Sequence, residues 1–307
     1  MKIWFDKADV NYNSFITEQF LLIPFLDESI IRANKDFSSS ATWIKDITEL
    51  VEYASIEDCD VIVYPYKLDN NIVKYIKLAE QFNKKLICFY NDDNNTPSCL
   101  PQFVEIYRTS IINSRKKINE SGLPAWSCDF LDLVNLNIKK KVEKPVVGFC
   151  GAITNIVRRK AINELTTNQS IICDFKIRDS FWGGKIHNKD IRMDYVHHMS
   201  NSDLILCCSG AGNFSYRLYE CMSLGCIPII INTDITLPCE DVIDWKNIGI
   251  WIDNIGDINH IINNYWSNIT DEEYHNHQKL IRKIYTDYLS PVGFTKYLNN
   301  KFITLHV

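Results

Sequence analysis

Short apolar runs, broken by polar turns and by stretches with helical spacing, alternate along most of this chain. In its first part, Lys2–Phe5, Val61–Tyr64 and Leu86–Tyr90 read as buried strands, and the apolar residues of Trp43–Tyr53 and Ile72–Phe82 recur at helical intervals. Val104–Arg108 is a further predicted strand. The lysine-rich segment Leu131–Lys144, with its alternating asparagines, reads as a connection between domains. From Pro145 the alternation resumes with strand Val146–Cys150, helix Ile156–Leu165, strand Ile171–Phe175 and helix Ile191–Met199. It continues through strand Leu204–Cys208, helix Asn213–Leu224 and strands Ile227–Ile231 and Ile248–Ile252, and helices from Ile258 close the chain. Pro228 is expected near the entrance of its strand, where a missing N–H does least harm.

Strand and helix in strict alternation predict an α/β protein of two doubly wound, Rossmann-like domains. Their expected extents are residues 1–140 and 145–285, with a helical tail over 286–307. In such sheets ligands sit outside the carboxyl ends of the strands, at the point where the strand order reverses. One stretch suits that position. The strand Leu204–Cys208 runs into Ser209-Gly210-Ala211-Gly212, where glycines permit a tight turn and let backbone N–H groups approach a ligand. Phe214, Leu218, Cys221 and Met222 then form the apolar stripe of a helix, while Asn213, Arg217 and Glu220 lie on a different face. A phosphate is the guest this layout suits. Gly148 and Gly151 form an earlier turn of the same kind, followed by a helix that bears Arg158, Arg159 and Lys160.

Composition narrows the function classes. The chain has 307 residues, 46% hydrophobic and 23% charged, and a formal net charge of −5, which offers no general attraction to nucleic acid or to an anionic membrane. An anionic ligand then has to be held by local cations. The opening MKIWFDKADV has charges where a signal peptide needs an apolar core, and no run approaches the length of a membrane helix, so a cytoplasmic location is expected. Most of the eleven cysteines lie inside apolar runs as small hydrophobes. No C-x-x-C pair is present, and the adjacent His197 and His198 diverge on a helix, so no metal site is expected.

The pattern SGAGNFSYRLYE, followed by LGCIPIIINTDITLP and DVIDW, resembles the C-terminal part of exostosin-like glycosyltransferases, in which an S-x-R-x-x-E helix precedes a G-C-I-P strand, an L-P pair and a D-W pair. KPVVGFCGA, Arg158 with Arg159, and RTS with NESGLPAW agree with small bacterial and viral-type members. The similarity is dense from about Pro145 to Trp251 and thin before Phe103. It implies the glycosyltransferase-B fold, two Rossmann-like domains facing a central cleft, the second holding a nucleotide sugar and the first an acceptor. A cytoplasmic, unanchored protein is the expectation here, which departs from the membrane-anchored animal and plant exostosins and would favour a viral or bacterial source.

By this resemblance Glu220 accepts hydrogen bonds from the donor ribose, and spacing alone offers instead an ion pair with Arg217 one turn away. Arg217 is assigned to the diphosphate and to its charge in the transition state. Gly151, Ser209, Gly210, Gly212, Asn213 and Ser215 complete the expected donor pocket, with one of Arg158 and Arg159 reaching it and the other solvated. Arg178 or Lys185 is a possible addition. The base that takes the acceptor proton is expected in the first domain. Asp92 and Asp93, after the strand LICFY, are its candidates, Asp6 and Glu120 compete with them, and by resemblance Arg108 and Ser110 shape the acceptor site. The implied activity is inverting transfer from a nucleoside-diphosphate sugar, a UDP-sugar by expectation, to a glycan, without a metal or other cofactor. The alternative is a catalytically silent member serving as a partner subunit or glycan-binding module. A Rossmann oxidoreductase is disfavoured, because no strand leads into a full G-x-G-x-x-G turn.

Overall fold

The computed structural model describes residues 1–10, 19–26, 41–66, 68–180 and 188–303. Two compact units divide the chain. The first takes Met1–Trp126, Thr236–Cys239 and the residues from Asp287 on, and the second takes Ser127–Ile235 and Glu240–Thr286.

In the first unit the elements follow as β1 (Lys2–Trp4), α1 (Ala41–Leu50), β2 (Glu52–Tyr53), β3 (Val61–Val63), α2 (Ile72–Gln81), β4 (Lys85–Tyr90), β5 (Val104–Arg108) and β6 (Glu120–Gly122). All strand pairs are parallel, in the order β2-β1-β3-β4-β5-β6. The apolar residues of β3, β4 and β5 build its core, where Ile62, Tyr64, Leu86, Cys88, Val104 and Ile106 pack against Ile72, Tyr75 and Ala79 of α2. The helix expected over Trp43–Tyr53 ends at Leu50. Glu52 and Tyr53 instead pair in parallel with Lys2 and Ile3, because the free edge of β1 offers backbone groups that need partners: Glu52 N–H donates to Met1 O and Ala54 N–H to Ile3 O.

The second unit contains β7 (Val146–Gly151), α3 (Ile156–Thr166), β8 (Ile172–Ile177), α4 (Lys189–Asn201), β9 (Leu204–Cys207), α5 (Tyr216–Ser223), β10 (Ile227–Ile231), α6 (Trp245–Ile248), β11 (Ile250–Ile252), α7 (Ile258–Asn268) and α8 (Asp271–Ile284). Its sheet is also wholly parallel, in the order β11-β10-β9-β7-β8. Burial of β9 and β10 along their whole length explains their unbroken apolar sequences, and Pro228 falls at the second residue of β10. At Gly148 a Cβ would stand 2.1 Å from Ser202 Oγ and 3.2 Å from His198 Cε1, so glycine is what lets the end of α4 lie against β7.

Each sheet starts a strand, adds the next on one side, and then crosses to the other. With right-handed crossovers this places helices on both faces, and the order reverses between β1 and β3 in the first unit and between β7 and β9 in the second. Two doubly wound α/β units are therefore present, as expected. Further stretches differ from the expectation in detail, among them the strand expected over Ile248–Ile252, which begins at Ile250 after the short helix Trp245–Ile248. The helix expected from Asn213 begins at Tyr216, since Asn213 uses its side chain in the preceding turn. The segment read as a connection is bound to the second unit: Lys139 exchanges two hydrogen bonds with the Gln278 amide, Lys141 N–H donates to Asp271, and Trp266 donates to Val142 O. The final helix, α9 (Pro291–Ile303), is part of the first unit, where Phe294 packs edge-on against Trp126 and Tyr107.

Candidate functional site

The reversal point of the second sheet gathers most of the expected donor residues. β7 ends at Gly151 and β9 at Cys207, and the turns that follow them are joined by Asn155 and Arg158 at the start of α3. Asn155 Oδ1 accepts from Arg158 N–H and caps that helix, while its Nδ2 donates to the carbonyls of Ser209 (2.9 Å) and Gly210 (2.8 Å). The Arg158 guanidinium is buried and spends its donors on backbone: Nε on Ser209 O (2.9 Å), Nη1 on Ala152 O (2.9 Å) and Nη2 on Cys208 O (3.5 Å). Burial first, and then the neighbouring Arg217, lower its pKa from the ordinary arginine value. Arg158 thus fixes the two turns. Arg159, its neighbour on the helix, points elsewhere and is exposed, so it is not brought to this cluster.

Arg217 lies in the first turn of α5. Only 8% of it is exposed, its Nη2 donates to Cys150 O at 2.7 Å, and its guanidinium stands 4.4 Å from the centre of the Phe149 ring. Nε and Nη1 are buried with no hydrogen-bond partner. The approach depends on Gly151, where a Cβ would stand 2.7 Å from Arg217 Nη2. Two buried guanidinium groups therefore meet at the mouths of β7 and β9, and neither makes an ion pair among the described residues. Donors buried without acceptors are costly, and an anion is the partner that would satisfy them.

The remaining turn residues have structural tasks that can be named. Gly210 N–H donates to Phe214 O, which closes the turn, and Gly212 is buried. Asn213 Oδ1 accepts from Thr233 Oγ1 at 2.6 Å and its Nδ2 donates to the carbonyls of Thr233 and Asp234, tying the turn after β9 to the turn after β10. Ser215 is the N-cap of α5 and makes no side-chain cap bond.

Glu220 does not make the ion pair with Arg217 that spacing alone offers. It is 3% exposed; Oε1 accepts from Ser127 Oγ (2.9 Å) and Arg192 Nη1 (3.1 Å), and Oε2 accepts from Tyr195 OH (2.6 Å). Its ion pair is with Arg192 of α4, not with Arg217 one turn away. Arg192 in turn lies over the rings of Phe130 (4.6 Å) and Tyr195 (5.6 Å). Arg192, Tyr195, Ser127 and Asn155 were all missed from the sequence. Asn155 carries a readable sign, a cap residue just before a helix, but the partners of Glu220 come from 25 to 93 positions away and leave no local pattern. Arg178 bonds Asp194 and Ile191 O, and Lys185 lies outside the described residues.

The candidates for a base lie in the first unit. Asp92 is half-buried, and its Oδ1 accepts from Asn94 N–H at 2.8 Å; Asp93 is exposed, and its carbonyl accepts from Ser110 Oγ at 3.2 Å. Their loop is pinned by Arg108, which donates to the carbonyls of Thr96 and Asn94 and pairs with Glu120 at 2.9 Å, both side chains being buried. Glu120 also accepts from the N–H groups of Ser98 and Lys117, so its carboxylate is fully engaged. Asp6 bonds Lys74 Nζ at 2.8 Å, and that hydrogen bond is the main cause that holds its carboxyl below the ordinary value and makes it a weaker proton acceptor.

Residues 113–265, which include both turns, both buried arginines and Glu220, match the Exostosin GT47 domain. The chain carries an exostosin GT47 domain. Relatives match it over shorter stretches. A probable beta-1,4-xylosyltransferase of Arabidopsis thaliana is 42% identical over 59 residues, 19% of this chain and 14% of the relative. A probable glucuronosyltransferase of Oryza sativa subsp. japonica is 40% identical over 81 residues, 24% of this chain and 19% of the relative, and Exostosin-1 of Drosophila melanogaster is 39% identical over 62 residues, 20% and 8%. The matched stretches thus span less than a fifth of each relative. Among solved structures, Anabaena HepE in complex with UDP and glucose aligns over 99% of this chain and 100% of its own at 12% identity and a TM-score of 0.43. The resemblance to exostosin-like glycosyltransferases is borne out by the domain match. No helix among the described residues of this exostosin-domain protein is long and apolar enough to cross a membrane.

Proposed function

We propose that the protein is a glycosyltransferase that binds a nucleoside-diphosphate sugar, a UDP-sugar by preference, at the β7/β9 mouth of its second unit and transfers the sugar to a glycan with inversion. The observation that carries this reading is Arg217, a buried guanidinium with two unsatisfied donors beside Gly151 in a chain whose exostosin domain spans that region. A guanidinium fork matches a phosphate oxygen pair, and charge held in a dry site favours the leaving diphosphate most strongly as the glycosidic bond breaks. Arg158 adds positive charge to the same place while keeping both turns in position. In this reading the charge on the leaving group is met by arginine, and activity is expected to persist in excess EDTA.

The proton acceptor is assigned to the first unit, with Asp92 and Asp93, in the loop after β4, as the candidates. Asp6 and Glu120 are less suited, one lowered by Lys74 and the other committed to Arg108. Titration calorimetry with UDP, set beside a hydrolysis screen over several UDP-sugars, tests the reading. Binding that is strong in the natural sequence and lost in Arg217→Ala supports it. Equal affinity in the two proteins removes the donor site from this position, and donor turnover abolished by EDTA and restored by Mn²⁺ removes the arginine-only account of charge.

A further inference from the structure

Arg217 and Glu220 stand three residues apart on α5, a spacing at which opposite charges are neighbours and ordinarily pair. Here they do not. The Glu220 carboxylate is drawn to Arg192 Nη1 at 3.1 Å and to Tyr195 OH at 2.6 Å, with Ser127 Oγ at 2.9 Å, while Arg217 keeps two buried donors without partners. Three groups outside α5 thus hold its one acid away from its one arginine.

We propose that Arg192, assisted by Tyr195, is a positioning residue that withholds Glu220 from Arg217 and so keeps the Arg217 guanidinium open to a diphosphate. This rests on the reading of Arg217 as an anion site. A carboxylate released beside Arg217 in a buried setting would satisfy the same donors the phosphates need, and the attraction between the two charges is strong where water is scarce. Arg192 is suited to prevent this because it is itself held in place, lying over the rings of Phe130 at 4.6 Å and Tyr195 at 5.6 Å, so its charge stays beside the carboxylate. Phe130, Ser127 and Cys128 come from one segment, and the Arg192 contact to Cys128 Sγ at 3.7 Å adds to the same clamp. Glu220 then has a task, as the counter-charge of Arg192, that does not depend on any contact with ribose.

Inorganic pyrophosphate is the probe, because it has the phosphates and no ribose. Its affinity for the full chain is measured by calorimetry in the natural sequence, Arg217→Met, Arg192→Met and the double variant Arg192→Met/Glu220→Gln. Arg192→Met is expected to weaken pyrophosphate binding on the order of tenfold, which corresponds to about 1.4 kcal/mol of competing ion pair. Adding Glu220→Gln removes the competing charge, and affinity is expected to return. A merely structural role for Arg192 predicts no recovery in the double variant, and that result overturns the inference, as does Arg192→Met binding as tightly as the natural sequence. No pyrophosphate binding by the natural sequence, or equal binding by Arg217→Met, overturns the anion site itself and the inference with it. Should Arg192→Met fail to fold, Tyr195→Phe, which removes one bond to Oε2, and Tyr195→Phe/Glu220→Gln give the same comparison, with Arg192→Lys expected to preserve part of the affinity.

Discussion

Arg158 commits its guanidinium to the carbonyls of Ala152, Cys208 and Ser209, whereas Arg217 leaves Nε and Nη1 unmatched, and the two should answer substitution in opposite ways. Arg158→Lys loses most of that fork and is expected to lower stability by roughly 1.5–3 kcal/mol, read from denaturant unfolding. Arg217→Met removes a buried charge that nothing pairs, so its melting temperature should equal or exceed that of the natural sequence while UDP no longer raises it. A large loss of stability in Arg217→Met, with UDP stabilisation intact, would show that the arginine serves the fold. His277 gives a pH-dependent counterpart. Its Nδ1 accepts from Tyr265 OH at 2.8 Å and its Nε2 donates to Ile248 O at 2.8 Å, an arrangement of neutral imidazole, and burial lowers its pKa from 6.5. The unfolded chain therefore binds the proton first, so this residue's contribution is present above pH 6.5 and is lost as the pH falls from 6.5 toward the lower folded value. Melting temperatures followed downward from neutral pH should fall less steeply in His277→Gln; parallel curves would dismiss the effect.

At the level of elements, the loop after β4 is organised by a buried pair, Arg108 with Glu120, whose side chains are 5% and 1% exposed. Glu120→Leu would leave the Arg108 charge buried without its acid, and a cost of about 3–5 kcal/mol is expected, with faster proteolysis between Asp92 and Phe103; Arg108→Met/Glu120→Leu should recover part of the loss. A double variant no better than the single would mean that the backbone bonds of Arg108 to Asn94 and Thr96, not the pair, hold the loop. Legibility in the sequence follows the same division between local and distant causes. Strands Val104–Arg108 and Ile227–Ile231 were readable to the residue, the second because continuous burial writes an apolar run. β2 was not, since Glu52 and Tyr53 are a strand only through the free edge of β1, fifty positions earlier. The glycine turns and Arg217 were readable from chemistry and spacing. The fate of Glu220 was not, because helical spacing offers Arg217 as its partner and the tertiary fold supplies Arg192.

For the molecule as a whole, charge sets a condition on the site. A net charge of −5 repels a nucleoside diphosphate at long range, so affinity has to come from short-range contacts that outweigh the overall field. Added salt acts on these two parts differently. With a screening length of about 10 Å near 0.1 M salt, the weak long-range repulsion is reduced, while contacts to a guanidinium that is 8% exposed are shielded from ions and change little. A ligand held instead by surface lysines and arginines, such as Arg159 and Lys160 on the open side of α3, would release counterions and weaken steeply as salt rises. The UDP dissociation constant is therefore expected to change by less than roughly threefold between about 50 and 300 mM NaCl. Calorimetry across that range checks it, and a tenfold or greater weakening would place the phosphates on exposed cations and away from the buried pair at the mouths of β7 and β9.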